Sequence, residues 1–170
     1  MGWLNKHHRE EPWYDIAQIC LNGHVITSRM RSSPARSAKR CAICGEVTIA
    51  ECPNCNASIR GFYHVPGVID LAQKYRRPAF CHECGAPYPW TERRLVAAKD
   101  LAYELEALSD EERQLLAQSL DDIVRDTPKT SVAAGRFKRL VAKAGGVAAE
   151  AFKDILTDIA SETAKKMIWG

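Results

Sequence analysis

Apolar residues follow two rhythms along this chain. Up to about residue 90 they come in short runs separated by turn formers: Tyr14-Asp-Ile-Ala-Gln-Ile-Cys20, then Asn22-Gly23, then His24-Val-Ile-Thr27, and later Glu46-Val-Thr-Ile-Ala50. Asn-Gly between two such runs is a hairpin signal, because both residues tolerate the positive φ of a tight turn. Beyond residue 90 the apolar spacing becomes three and four, the period of an amphipathic helix. Leu95, Ala98, Leu101, Ala102, Leu105 and Leu108 predict one helix capped by Thr91. Ser109-Asp-Glu-Glu112 is a capping box that opens a second helix carrying Leu116, Leu120 and Ile123. Asp126-Thr127-Pro128 predicts the end of that helix and the start of a third, which Gly145-Gly146 closes. From Val147 to about Ile168 one more helix is expected, with Val147, Ala148, Phe152, Ile155, Ile159 and Met167 on its apolar face.

Composition changes at the same place as the rhythm. Residues 1–90 hold every cysteine and histidine and all but one of the eight prolines, whereas residues 91–170 hold only Pro128 and are rich in Ala, Leu, Lys, Asp and Glu. The expected fold is therefore α+β. A small zinc-stapled β-hairpin or zinc-ribbon domain (1–90) precedes an all-α domain of about four helices (91–170). Hydrophobic content of 46% suits a soluble globular protein. No export signal or stretch of roughly 18 apolar residues is legible, which points to a cytoplasmic protein with no membrane role.

The seven cysteines decide the chemistry. Their number is odd and six lie in Cys-x-x-Cys pairs, which favours metal over disulfides. A Cys-x-x-Cys turn presents two thiolates at the separation a tetrahedral zinc ion requires. Cys41-Ala-Ile-Cys44, Cys52-Pro-Asn-Cys55 and Cys81-His-Glu-Cys84 are three such turns, and the hairpin tip Cys20-Leu-Asn-Gly-His24 supplies the fourth pair of ligands. Eight ligands, Cys20, His24, Cys41, Cys44, Cys52, Cys55, Cys81 and Cys84, suit two structural zinc ions with no cysteine left over. Seven thiolates and two dications also bring the formal charge of +3 near zero, so net charge identifies no partner.

The segment Cys41-Ala-Ile-Cys-Gly-Glu-Val-Thr-Ile-Ala-Glu-Cys-Pro-Asn-Cys55 resembles the single-zinc ribbons of small ribonucleoprotein and RNA polymerase subunits. That resemblance favours a nested pairing, with Cys41, Cys44, Cys52 and Cys55 around an inner ion and Cys20, His24, Cys81 and Cys84 around an outer one. Sequential pairing, which joins Cys20 and His24 to Cys41 and Cys44, is the alternative. Iron is the alternative to zinc in an all-cysteine site. Over most of its length the chain is similar to an uncharacterised bacterial family that combines a Cys-Leu-Asn-Gly-His hairpin, two ribbon knuckles, an Ile-Arg-Gly segment and a Cys-Gly…Tyr-Pro-Trp-Thr segment with a helical tail. Here these stand at Cys20–His24, Ile59–Gly61 and Cys84–Thr91. The resemblance implies the fold and a bacterial origin and no activity.

Eight ligands on two ions leave no position for a reacting water, so no enzyme is expected. The only His-x-Glu, His8-Arg-Glu10, has no Pro-Cys-x-x-Cys partner, and no βαβ setting supports dithiol redox chemistry. His7, His64 and His82 are read as exposed or structural. The leading expectation is a zinc-ribbon adaptor whose residues 147–170 join it to a protein partner or to a second copy. A second reading is nucleic-acid binding through Arg29, Arg31, Arg36, Lys39 and Arg40, five basic residues in an acid-free segment expected to be a flexible loop, with Arg76, Arg77, Arg93 and Arg94 adding charge. Trp13, Tyr14, Phe62, Tyr63, Phe80, Tyr88 and Trp90 could stack on bases, but most of them are expected in the core. A third reading is an effector or regulatory subunit of a multi-protein bacterial system, such as a defence system.

Overall fold

The computed structural model describes residues 11–68 and 74–170, and the chain divides into two compact units, Met1–Trp90 and Thr91–Gly170. The first unit is built from two small antiparallel sheets. Strand β1 (Trp13–Ile16) pairs with β5 (Arg60–His64), and β2 (Gln18–Cys20) lies between β3 (Val25–Thr27) and β4 (Thr48–Ile49). The chain crosses from one sheet to the other at Ala17, whose N–H donates to Ile59 O at 2.9 Å.

Gly61 is required where the two sheets meet. A Cβ on it would stand 2.8 Å from Ile16 C and 2.9 Å from Ala17 N, and closer still to Ser28 O. All three atoms are backbone, so none can rotate away. Gly61→Ala is expected to lower the urea midpoint of this unit by the equivalent of about 1–3 kcal/mol, the usual cost of overpacking. Gly135→Ala, at a helical position with open space around it, should stabilise its own unit slightly.

The core of the first unit is thin: Ala17, Ile19, Cys52, Ile59, Cys81, Tyr88 and Trp90. Tyr88 and Trp90 stack with centroids 4.6 Å apart, and Trp90 Nε1 donates to Pro78 O at 2.9 Å. Two of these core residues are candidate metal ligands, so the apolar core and the metal chemistry are not separable. A domain with so few large apolar side chains needs staples.

Residues 29–40, expected to be a flexible loop, are instead pinned. The buried Asp15 carboxylate accepts from Arg31 N at 2.8 Å, Ser32 N at 3.3 Å, Ser32 Oγ and His64 Nε2 at 3.1 Å. Gln18 Oε1 accepts from Ala38 N at 3.0 Å, and Pro34–Arg36 forms a 3₁₀ turn. The cause is polar satisfaction: a buried carboxylate must be hydrogen-bonded, and the amides of this segment do it.

The second unit contains five helices where about four were expected: α1 (Pro89–Tyr103, which starts two residues before the unit), α2 (Asp110–Ile123), α3 (Thr130–Ala144), α4 (Gly146–Leu156) and α5 (Glu162–Trp169). The Ser109–Glu112 capping box is present, and Gly145 closes α3 at φ +99°. Three boundaries differ from the sequence reading. Proline is suited to a first helical position, so α1 begins at Pro89 and Thr91 lies inside its first turn. It ends at Tyr103, leaving Leu105 and Leu108 in a turn. Helix α3 begins at Thr130, whose hydroxyl accepts from Thr127 N at 2.9 Å and donates to Arg125 O at 2.5 Å.

The fourth predicted helix breaks in two. Ser161 Oγ accepts from Ala164 N at 3.1 Å and starts α5, while Ser161 N donates to Ile123 O at 3.0 Å. The break folds α5 back against α3. Phe152 meets Phe137 edge to face at 5.1 Å, and Ala164 and Ile168 are buried. Val147 and Met167, placed on the apolar face by periodicity, are exposed. Among the described residues no helix is long and apolar enough to cross a membrane.

Candidate metal centres

Each Cys-x-x-Cys segment folds as the same knuckle. The first cysteine's amide donates across a tight hairpin, from Cys41 N to Glu46 O, from Cys52 N to Ala57 O and from Cys81 N to Ala86 O, at 2.8–2.9 Å. Its carbonyl accepts from the amide of Gly45, Asn56 or Gly85, at 2.8–3.0 Å. These three residues lie at φ +72°, +60° and +70°, a left-handed conformation that glycine and asparagine adopt most readily. One bridge flanks each knuckle: Arg40 with Val47, Glu51 with Ser58 and Phe80 with Pro87. The fourth half-site is the β2–β3 turn, in which Gly23 N donates to Cys20 O and His24 N to Cys20 Sγ at 3.2 Å.

These half-sites converge in two sets, Cys20, His24, Cys41 and Cys44, and Cys52, Cys55, Cys81 and Cys84, with all ligand atoms of a set within 4.8 Å of one another. In the first set Cys20 Sγ is 3.8 Å from Cys44 Sγ, and His24 Nδ1 is 3.4 Å from Cys20 Sγ and 3.6 Å from Cys41 Sγ. In the second, Cys52–Cys84 and Cys55–Cys81 are 3.8 and 3.7 Å apart. A tetrahedron with zinc-like bonds has edges of about 3.8 Å between sulfurs and about 3.6 Å between sulfur and nitrogen. The donors fit such an ion, whereas a disulfide would need sulfurs about 2 Å apart.

Hydrogen bonds to sulfur complete each site. Asn22 Nδ2 donates to Cys44 Sγ at 3.5 Å, and the Asn54 side chain bonds Cys84. In both sites the asparagine sits in the first half-site and reaches the last cysteine of the second. In the sequence Asn22 reads only as a turn former and Asn54 carries no signal of its own, although each occupies the same place, two residues after a cysteine of its set.

The protein's own dipoles favour thiolate at chosen positions. Cys44 is lowered to about 6, chiefly by the Glu46 amide, and Cys81 to about 6 by the amides of Cys84 and Glu83. At Cys55 the Ala57 amide favours the thiolate, but desolvation and the crowding of Cys84, Cys81 and Cys52 outweigh it and push the thiol up to about 12. Burial likewise raises Cys20. A dication at the centre of each set would relieve this like-charge crowding.

The pairing is sequential, which corrects the nested expectation. The first knuckle closes at Val47 and the second opens at Glu51, so only residues 48–50 connect them. These residues run extended and do not turn back on the first knuckle. Instead Thr48 and Ile49 form β4, which pairs with β2 through Ile19↔Ile49 and Cys20↔Thr48 and draws the Cys20–His24 turn onto the first knuckle.

The other expected site residues separate. Arg29 lies over the Phe62 ring at 3.9 Å and Arg31 over Trp13 at 5.3 Å, while Arg40 Nη1 donates to Gly45 O at 3.1 Å. Arg36 and Lys39 are exposed. Arg94 is drawn into the helical unit, where it pairs with Asp158 at 3.2 Å. His64 serves Asp15 and stacks on Trp13, and His82 meets Glu83 at 3.3 Å. His7, His8 and Glu10 lie outside the described residues.

Comparison with curated proteins and with solved structures finds no match. A family model described as an uncharacterized protein conserved in bacteria, DUF2321, matches residues 13–168, from the first strand through both ligand sets to the last helix. The chain belongs to this bacterial family.

Proposed function

We propose that this chain is a non-enzymatic recognition module in which two structural zinc ions shape the N-terminal unit into a binding surface and the helical unit serves association. The observation that carries this reading is the closed donor set. Each cluster offers four protein atoms at tetrahedral spacing, which leaves no position for a reacting water. Imidazole in the Cys20–His24 site favours zinc there, and zinc's preference for four thiolates suits the second site. Within residues 147–170, Phe152, Ala164 and Ile168 are buried in the helical unit, while Val147 and Met167 are exposed and are the apolar positions left for association.

Elemental analysis should find about two zinc ions per chain in colourless protein, as two four-ligand sites require. Replacing zinc by cobalt makes the test of function sharper. Tetrahedral cobalt with four protein ligands should keep its visible bands when azide is added. Bands that shift with azide would reveal an open coordination position and overturn the non-catalytic reading.

A further inference from the structure

We infer that the β1–β5 ribbon is a binding surface for single-stranded nucleic acid, with one nucleotide held in the cleft beside Tyr14 and Tyr63. This rests on the recognition-module reading and names its partner. The cleft has a volume of about 300 Å³, at the small end of ligand sites, and is lined by Tyr14, Tyr63, Tyr75, Arg60, Lys74 and Arg76, with no carboxylate among its described lining residues. Tyr14 and Tyr63 are directly opposed across the strands, with ring centroids 4.6 Å apart, and are 48% and 37% exposed. Two exposed rings presented together on a ribbon form a stacking platform.

Three arginines of this unit lie on aromatic rings. The Arg60 guanidinium stands 4.8 Å from the Tyr14 centroid. Arg29 stands over Phe62, which itself borders the cleft, and Arg31 over Trp13. Among the described residues Arg29, Arg31 and Arg60 form no ion pair with a carboxylate. A guanidinium lying on a ring keeps its N–H edge available, and a phosphate oxygen is the group that edge suits best. Rings for bases beside cations for phosphates are the two halves of nucleotide chemistry. A duplex hides its base faces, so the rings select an unpaired strand. The Arg29–Phe62 and Arg31–Trp13 pairs belong to the opposite face of the ribbon, the face of His64, so the platform itself is the Tyr14–Tyr63 pair with Arg60 beside it.

The experiment uses the zinc-loaded full chain and fluorescein-labelled 15-mers of mixed sequence, as single-stranded RNA, single-stranded DNA and duplex, followed by anisotropy at two salt concentrations. Binding to either single strand should weaken as salt rises and exceed binding to duplex. Tyr14→Leu with Tyr63→Leu should weaken it about tenfold or more, the scale of lost base stacking. Arg60→Gln with Lys74→Gln should flatten the salt dependence by about 1.4 in log–log slope, corresponding to about 0.7 per phosphate contact on a single strand. Zinc content verifies that the variants remain folded. Arg36→Gln with Lys39→Gln, away from the rings, should change affinity less than twofold.

Four results would each overturn the proposal: no salt-sensitive binding, duplex bound as tightly as single strand, AMP competing as well as the oligomer, or the tyrosine pair proving neutral. In any of these cases two zinc ions and azide-insensitive cobalt bands would leave the recognition-module reading intact.

Discussion

Cys44→Ser combined with Cys52→Ser should strip the chain of both of the zinc ions proposed for it. The two cysteines are only eight positions apart and flank one short strand, yet they belong to different ligand sets. Cys20→Ser combined with Cys44→Ser should behave oppositely: both changes fall in one set, so about one equivalent remains, held by Cys52, Cys55, Cys81 and Cys84. Nested pairing predicts the reverse for the first variant, one equivalent retained. Elemental analysis after gel filtration reads the difference directly. The effect on folding should be large, because zinc contributes roughly 10–16 kcal/mol of apparent binding energy in small zinc-finger folds, more than a core of this size supplies. Loss of the second site should be the more damaging, since Cys52 and Cys81 are themselves core residues packed with Ile59, Tyr88 and Trp90. A Cys44/Cys52 variant that keeps one full equivalent would refute the sequential pairing.

Asp15→Ala should destabilise the N-terminal unit by about 3 kcal/mol, the order expected when several buried donors lose a charged acceptor. The amides of Arg31 and Ser32, the Ser32 hydroxyl and His64 all converge on this carboxylate. Their loss should free residues 28–33 and, with them, the Arg29 and Arg31 contacts to Phe62 and Trp13. Limited proteolysis should then cut at Arg29 or Arg31, where the parent protein resists.

A pH dependence follows from the same carboxylate. Burial alone would raise the Asp15 pKa, but hydrogen bonds from Ser32, Ile16 N, Arg31 N and His64 outweigh it and hold it below the ordinary value. A depressed folded pKa means that this stabilisation is fully present above the unfolded value, about 3.9, and is lost as pH falls through the folded one. Acid also protonates the thiolates and releases metal, so the comparison should be between the parent protein and Asp15→Asn, whose metal sites are the same. The stability difference between the two should shrink below about pH 4. A difference that stays constant down to pH 2 would show that Asp15 acts through shape alone.

Much of this was legible in the sequence because it depends on local chemistry. Cys-x-x-Cys spacing, Asn22-Gly23 and the glycines after Cys44 and Cys84 specify knuckles whose backbone closes within a few residues, so the eight candidate ligands that the fold gathers into two sets could be named without a fold. The Ser109–Glu112 capping box and the Gly145 stop are equally local. The helical half was harder wherever two local signals competed. Periodicity carried one helix through residues 147–168, and the break at Ser161 prevailed because its amide and hydroxyl both find partners and α5 can then cover α3.

The partner of each half-site was decided by tertiary structure. Four half-sites can pair in three ways, and each way gives one all-cysteine set and one set with His24, so ligand chemistry is indifferent among them. The β2–β4 pairing and the extended connection from Val47 to Glu51 select one. The same holds for the basic segment at 29–40, whose composition reads as a loose arm. Only the folded chain shows that a buried carboxylate 16 residues upstream of Arg31 gathers its amides and lays two of its arginines on aromatic rings. Spacing determines which atoms can bind a metal or a phosphate; which of them meet depends on strand pairing and on the need to satisfy every buried polar group, and both are long-range conditions.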